Sequence, residues 1–387
     1  MRQLSLLLAL AMLVSGSVAQ ATSLRVAAWN TFNRPNSAEH EAWFTTVFQA
    51  IGNETVEGVA RRIDVLAVSE TDTGSAQDLV DLLNDLYSVS SYSVITSSSN
   101  GGDRTGIVYD TSSIQLLGST ELVTGLTHPI MRAQFQFVPT NGGATFYLYS
   151  IHLKSGSAAA TRADETGIIR ADADGLGEGE NIIYAGDFNM YGSSEGAWTD
   201  MGDFGNGQAF DVASSPGEWR ENAVFSALHT QNPGAAMDDR FDMMLATGEL
   251  FDGTGLEYVP DSYRVFGNDG SHTFNGAITS GTGAPSNILT ALANASDHLP
   301  IVADYVEAPE LSSGLLLIAG FPIAVIAMAI LASRYGRPIV RSTCGIPAFA
   351  LAPATPKVQH HPGEFTIERL MVRMVCVPRI NIFNQLP

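Results

Sequence analysis

Cysteine is missing from residues 22–310; the chain's two, Cys344 and Cys376, both follow that segment. Its absence excludes a disulfide framework and thiol chemistry there, and no cysteine–histidine cluster is present to suit zinc. Positive charge is also scarce. Against 38 Asp and Glu the same segment has 12 Lys and Arg, a net charge of −26. A protein that coats DNA non-specifically needs the opposite sign, because contacts to phosphates supply most of its affinity. Such acidity suits a soluble extracellular domain, and clustered acids can hold divalent cations. No internal repeat is visible.

The two ends read differently from the middle. Arg2, the apolar run LSLLLALAMLV and the small residues SVAQA have the layout of a secretory signal peptide over residues 1–21. Residues 311–333 form 23 positions without a charge, and Arg334, Arg337 and Arg341 follow. That length spans a bilayer and places the basic flank on the cytoplasmic side. Together these ends predict a secreted or surface-held domain over residues 22–306, with residues 307–341 as its sorting or membrane segment. The Pro-dotted tail, residues 342–387, carries no assignment.

Within the domain, several strand-like runs end in polar residues. LRVAAWN (24–30) ends at Asn30, DVLAVSE (64–70) at Glu70, and NIIYAGDFN at Asp187 and Asn189. RTGIVYD (104–110) carries Tyr109, TFYLYSIHLKS (145–155) carries His152 and Lys154, and RFDMMLA (240–246) carries Asp242. DHLPIVADY (297–305) begins with Asp297 and His298. Apolar spacing predicts helices over 53–63, 75–87 and 158–174. Ser/Gly-rich stretches at 97–103 and 279–287 read as surface loops. This mixture favours an α/β fold of two packed mixed sheets with helices outside.

A sheet gathers the ends of its strands, so these polar residues are brought together. Singly, each has an ordinary alternative: a turn at Asn30, a solvated Glu70, a core His152, an Asp242–Arg240 ion pair, an N-capping Asp297. Jointly and in this order, WN, SE, IVY, SIHLKS, GDFN, RFDMML and SDHLP resemble the endonuclease/exonuclease/phosphatase superfamily, from about residue 24 to 306. The superfamily contains DNase I-like nucleases, abasic-site endonucleases, sphingomyelinases and inositol phosphatases. The resemblance implies a four-layered α/β sandwich and phosphoester hydrolysis assisted by Mg²⁺, with Mn²⁺ as a substitute. Hydrolysis of an inert phosphodiester needs a Lewis acid, an oriented water and a proton for the leaving oxygen.

Carried over motif by motif, the resemblance implies Glu70 as a metal ligand with Asn30 beside it and Asp297 as a further acid at the metal. Asp187 would orient or deprotonate the attacking water, and Asn189 would bond to the phosphate or that water. His298 would act on the scissile phosphate with Asp242 fixing its tautomer, and His152 would be a second catalytic histidine. Tyr109, Lys154 and Arg132 are the expected substrate contacts. Arg104 and Arg162 complete a candidate local basic patch, and Asp211, Glu218, Asp269 and His272 a candidate structural Ca²⁺ site.

The expected substrate is nucleic acid. A lipid head group or small phosphoester, and a non-catalytic binding module on the same fold, are the alternatives. The C-terminal segment resembles the PEP-CTERM sorting signal, which implies an exosortase-type membrane protease as partner. Ala308 stands where that signal has its first proline, and the long tail after the basic flank departs from it too.

Overall fold

The computed structural model describes residues 23–308, apart from 57–58, 101–102 and 139–142. The signal-peptide reading of 1–21, the span at 311–333, the sorting signal and the tail 342–387 lie outside the described residues. Among the described residues, no helix is long and apolar enough to cross a membrane.

In chain order the first half runs β1 (Ser23–Asn30), α1 (Ala38–Asn53), β2 (Thr55–Val56), β3 (Val59–Ala60), β4 (Val65–Thr71) and α2 (Thr73–Tyr87). It continues through β5 (Tyr92–Thr96), β6 (Arg104–Asp110), β7 (Ile114–Leu122), β8 (Ile130–Phe137) and β9 (Thr145–His152). Then come α3 (Ala159–Asp174), β10 (Ile182–Asp187), α4 (Gly196–Gly202), β11 (Ala209–Asp211) and β12 (Asp242–Thr247). The last elements are β13 (Leu256–Tyr258), β14 (Arg264–Val265), α5 (Ser286–Ala295) and β15 (Ile301–Glu307).

Two mixed sheets pack face to face. One is ordered β13-β15-β1-β4-β6-β5, with β14 beside β15; the other is ordered β11-β12-β10-β9-β8-β7. Residues from both inner faces, among them Val26, Ala28, Val65, Phe135, Leu148 and Ala185, join one apolar core. The helices α1, α2 and α5 cover the outer face of the first sheet, and nearly all of their buried apolar residues belong to the same cluster. A second cluster, including Tyr149, Ile169, Tyr184 and Met201, lies between the other sheet and α3 with α4. The expected four-layered α/β sandwich is therefore present.

One helix expected from periodicity is a correction. In place of a helix, Thr55–Val56 and Val59–Ala60 pair as the antiparallel strands β2 and β3, Thr55, Val56 and Val59 being β-branched residues that favour strands. The helix lies just before them. In α1, Phe44, Val47, Phe48 and Ile51 recur every three to four residues on the buried face, and the Ser37 side chain accepts a hydrogen bond from the His40 amide at its start. The expected helix at 75–87 begins two residues earlier, at a capping box between Asp72 and Ser75.

The strand ends converge as their pairings require. β1 and β4 run parallel and end together, Asn30 opposite Ser69. β9 and β10 are parallel with His152 opposite Asp187, and β12 starts antiparallel to them with Asp242 opposite Asp187. A hydrogen bond from Ser150 Oγ to the Val68 carbonyl, 2.9 Å, ties the two sheets close to these ends.

Gly186 shows why the chain can carry Asp187 at that edge. Its φ is 140°, and a Cβ there would meet the Ile151 carbonyl oxygen at 2.2 Å. Backbone cannot give way as a side-chain tip can. Gly186→Ala is expected to cost roughly 3 kcal/mol or more by combining a steric clash with a disfavoured φ. A fall in the midpoint of urea unfolding with unchanged slope would register it.

Candidate active site

Asp187 stands at the centre of the converging ends. It is buried at the end of β10, and its Oδ1 accepts the Asn189 amide at 2.9 Å. Its Oδ2 accepts Asn30 Nδ2 at 3.1 Å and lies 3.9 Å from both His152 Nε2 and His298 Nε2. Burial raises its proton affinity, the neighbouring His298 opposes that, and Asp242 adds to it.

Asn30 bridges two carboxylates. Its Nδ2 donates to Glu70 Oε1 at 3.0 Å as well as to Asp187, while its Oδ1 accepts the Phe32 amide at 3.2 Å. In this arrangement Asn30 holds the acids in place with its amide nitrogen, and its oxygen faces the backbone. Glu70 lies within the irregularity of β4 between Val68 and Thr71 and adopts φ 46°. This backbone turn aims a carboxylate, partly open to solvent, off the end of the strand. Burial raises its proton affinity, and the Asn30 hydrogen bond pulls against that.

Glu70, Asp187 and His152 offer one ligand atom each, all within 4.8 Å of one another. His152 Nε2 is 3.7 Å from Glu70 Oε1. The two carboxylates fit a divalent cation, their oxygens suiting Mg²⁺ or Mn²⁺, and the neutral imidazole beside them keeps its Nε2 lone pair for a proton. Asp297 is half-buried two residues before Leu299 and adds negative charge at Glu70.

The two histidines differ in charge. His298 Nδ1 bonds to Asp242 Oδ2 at 2.6 Å, inside the protein. Burial by itself would lower the His298 pKa, but Asp242, then Asp187 and Asp297, raise it to about 10. His298 is therefore an imidazolium at neutral pH, with Nε2 aimed at Asp187. Arg240 does not compete for Asp242, because it pairs with Asp211 through two bonds of 2.7 and 3.0 Å. His152 is the reverse case. Burial, followed by the charges of His128, His298 and Lys154, takes its pKa well below the usual value, so it is neutral.

Among the described residues no carboxylate stands behind His152, and its buried Nδ1 has no hydrogen-bond partner. Instead its ring stacks on His128, centroids 4.0 Å apart and planes 7° from parallel. His128 was not legible as a site residue: it is a lone histidine in the loop before β8, with no motif around it. Its stack does for His152 what Asp242 does for His298, fixing the ring's direction. His128→Ala is expected to lower kcat by about three- to tenfold, the worth of one aromatic contact. His128→Phe restores most of it if stacking is the function, which a pair of steady-state kinetic curves would show.

Asn189 also faces the centre. Its φ is 51°, and its Nδ2 donates to the Leu153 carbonyl at 3.1 Å, fixing the side chain beside Asp187. Lys154 is two residues past His152 and lowers the pKa of both His128 and His152, so its charge stands at the same opening. It is the one lysine between residues 22 and 310.

Other expected site residues lie elsewhere. Tyr109 is buried against Phe135 and pairs with Val65, five residues along β4 from Glu70. At about 3.3 Å per residue it is on the order of 16 Å away, a core residue and not a phosphate contact. Arg132 donates to Asp172 Oδ2 at 2.5 Å and to Thr120 on the outer layer. Arg162 is fully buried, bonded twice to Glu195 at 2.7 and 2.8 Å. The expected Ca²⁺ ligands do not converge either. Asp211 is engaged by Arg240, and Asp269 accepts bonds from Ser271 within its own loop.

These pairings leave little of the basic patch. Nine of the 12 basic residues in 22–310 form ion pairs with carboxylates, and Arg34, Arg104 and Lys154 form none among the described residues. Arg104 instead donates to the Ser97 carbonyl.

The family model described as "Endonuclease/Exonuclease/phosphatase family" matches residues 27–298, which hold every residue of this site. Among solved structures, the fold is similar to a humanized D. rerio TDP2, at 18% identity and TM-score 0.50 over 73% of this chain and 99% of that one. It is also similar to D. rerio TDP2 complexed with a single-strand DNA product, at 16% identity and TM-score 0.50, covering 73% and 99% of the two chains. A Bacteroides thetaiotaomicron mannosyl-6-phosphatase is similar at 14% identity and TM-score 0.48, with the same coverage. No curated protein sequence matches the chain.

Proposed function

Because this chain belongs to the endonuclease/exonuclease/phosphatase family, we propose that it is a divalent-metal-dependent phosphodiesterase that cleaves nucleic acid outside the cytoplasm. The observation that carries the chemistry is the buried line Asp242–His298–Asp187, with Glu70 and a neutral His152 on its open side. Glu70 and Asp187 would hold the cation, and bound there it would polarise the phosphoryl oxygens. Asp187 orients the attacking water, and the neutral Nε2 of His152 accepts its proton. The His298 imidazolium donates to the leaving oxygen. Asn189 holds a phosphate oxygen or the water.

The substrate reading is narrower than the chemistry. A domain of net charge −26 whose cations are mostly paired off favours short single-stranded segments over long duplex. Placement outside the cytoplasm rests on residues 1–21 and 311–333 as read in sequence, which also make a membrane anchor and its processing protease the expected partners.

The full chain, assayed with Mg²⁺ or with EDTA, should be offered single-stranded DNA, RNA, supercoiled DNA, sphingomyelin and a sugar monophosphate. Metal-dependent cleavage of the single strands ahead of the others is the expected result. Cleavage of sphingomyelin or the sugar phosphate alone would keep the chemistry and overturn the substrate.

A further inference from the structure

Phe32 is two residues past Asn30, and it combines exposure with an unusual backbone. It is 44% exposed, a large aromatic left open to solvent directly after the fully buried Asn30 and Thr31. Its backbone φ is 52°, a left-handed conformation that bulky side chains avoid. Asn33, next to it, shares that conformation with φ 54°. Strain of this kind persists only where the surroundings enforce it, and it gathers at ligand clamps.

The surroundings here do enforce it. The Phe32 amide donates to Asn30 Oδ1 at 3.2 Å, and the Arg34 amide to the Thr31 carbonyl at 3.0 Å. The Asn33 side chain donates to Asp103 at 3.1 Å, and its amide to the Glu70 carbonyl. The turn is thus fastened to the residue that aims the candidate metal ligand. Behind the phenyl ring lies the Arg34 guanidinium, 5.2 Å from the centroid. That guanidinium is itself held by the carbonyls of Asn294 and Ala295, at 3.2 and 3.3 Å, where α5 ends just before Asp297 and His298. One face of the ring is backed by a fixed cation, and the side chain remains open to solvent at the rim of the site.

We propose that Phe32 is a stacking platform for a nucleobase adjoining the scissile phosphate. This rests on the phosphodiesterase reading and adds to it the part of the substrate that is recognised. A flat, preorganised ring suits a flat partner and loses little entropy on contact. Docking on lipid needs a contiguous apolar patch, whereas Phe32 is flanked by Thr31, Asn33, Arg34 and Asn36.

The test measures binding, so that it does not depend on turnover. In the full chain with His298→Ala, affinity is compared for a fluorescein-labelled deoxyadenosine hexamer and an abasic tetrahydrofuran strand of equal length. With Phe32 present, the base-bearing strand is expected to bind about tenfold more tightly. Phe32→Ala and Phe32→Leu should remove that preference, and Phe32→Trp should keep it. Several results would overturn the platform: no preference with Phe32 present, a preference that survives Phe32→Leu, or equal weakening for both strands. Phe32-dependent binding to sphingomyelin–phosphatidylcholine vesicles in place of the hexamer would overturn it as well. Hydrolysis of bis(p-nitrophenyl) phosphate by the unsubstituted chain tests the parent reading separately, and would stand if the platform fell.

Discussion

His298→Ala is expected to lower kcat for phosphodiester hydrolysis by about a thousandfold, with KM changed much less. The ring is buried, charged and aimed at Asp187, so the variant loses a proton donor at the leaving oxygen, a contribution on the order of 10²–10⁴. Asp242→Asn separates the two parts of this role. It keeps the shape but removes the charge that bonds to His298 Nδ1. The sign follows from the cause: Asp242 is the foremost group raising the His298 pKa, so its loss lets burial pull that pKa down. The alkaline limb of the kcat–pH profile, where the acid loses its proton, should move to lower pH. A profile that keeps its alkaline limb in Asp242→Asn would show that His298 is not the acid.

Glu70→Gln carries the second large effect. Glu70 is the most solvent-open carboxylate of the cluster, and Asn30 already supplies it with a donor. Its replacement removes one negative charge from the expected cation site and leaves the strand end intact. Affinity for Mg²⁺ or Mn²⁺ should fall at least about tenfold, and activity at limiting metal by on the order of 10²–10³. Calorimetric titration of Mn²⁺ into the metal-free chain reads the affinity without reference to turnover. Equal Mn²⁺ affinity in the variant would remove Glu70 from the metal site.

The residues the sequence made legible share a property: each sits at a strand end whose motif is local. GDFN places Asp187 and Asn189 within three positions, and SDHLP does the same for Asp297 and His298. Their neighbours in space are then supplied by pairing, as His152 and Asp242 are on either side of Asp187. Tyr109 failed for the complementary reason. It lies on a strand that reaches the site with its other end, and a sequence does not print which end of an antiparallel strand is near. Arg132 and Arg162 looked available as cations because their partners, Asp172 and Glu195, are 40 and 33 residues away. His128 gave no signal at all, since a stack between two loop-and-strand histidines leaves no spacing to detect. The strands at 55–56 and 59–60 resemble a helix in sequence because three apolar residues at that spacing fit either period, and β-branching decides between them.

The same comparison explains why the fold was more legible than the substrate. Alternation and strand ends follow from burying apolar faces, which every family member must do. Under the proposed function, substrate choice would depend on single side chains such as Phe32 and Lys154, whose neighbours come from distant turns.

The most direct measurement is the rate of bis(p-nitrophenyl) phosphate hydrolysis as Mg²⁺ is titrated into the metal-free full chain. A rate that rises to saturation and disappears with EDTA is predicted by a cation held at Glu70 and Asp187. A rate that stays flat at the uncatalysed level across the titration, with Mn²⁺ no better, would contradict it.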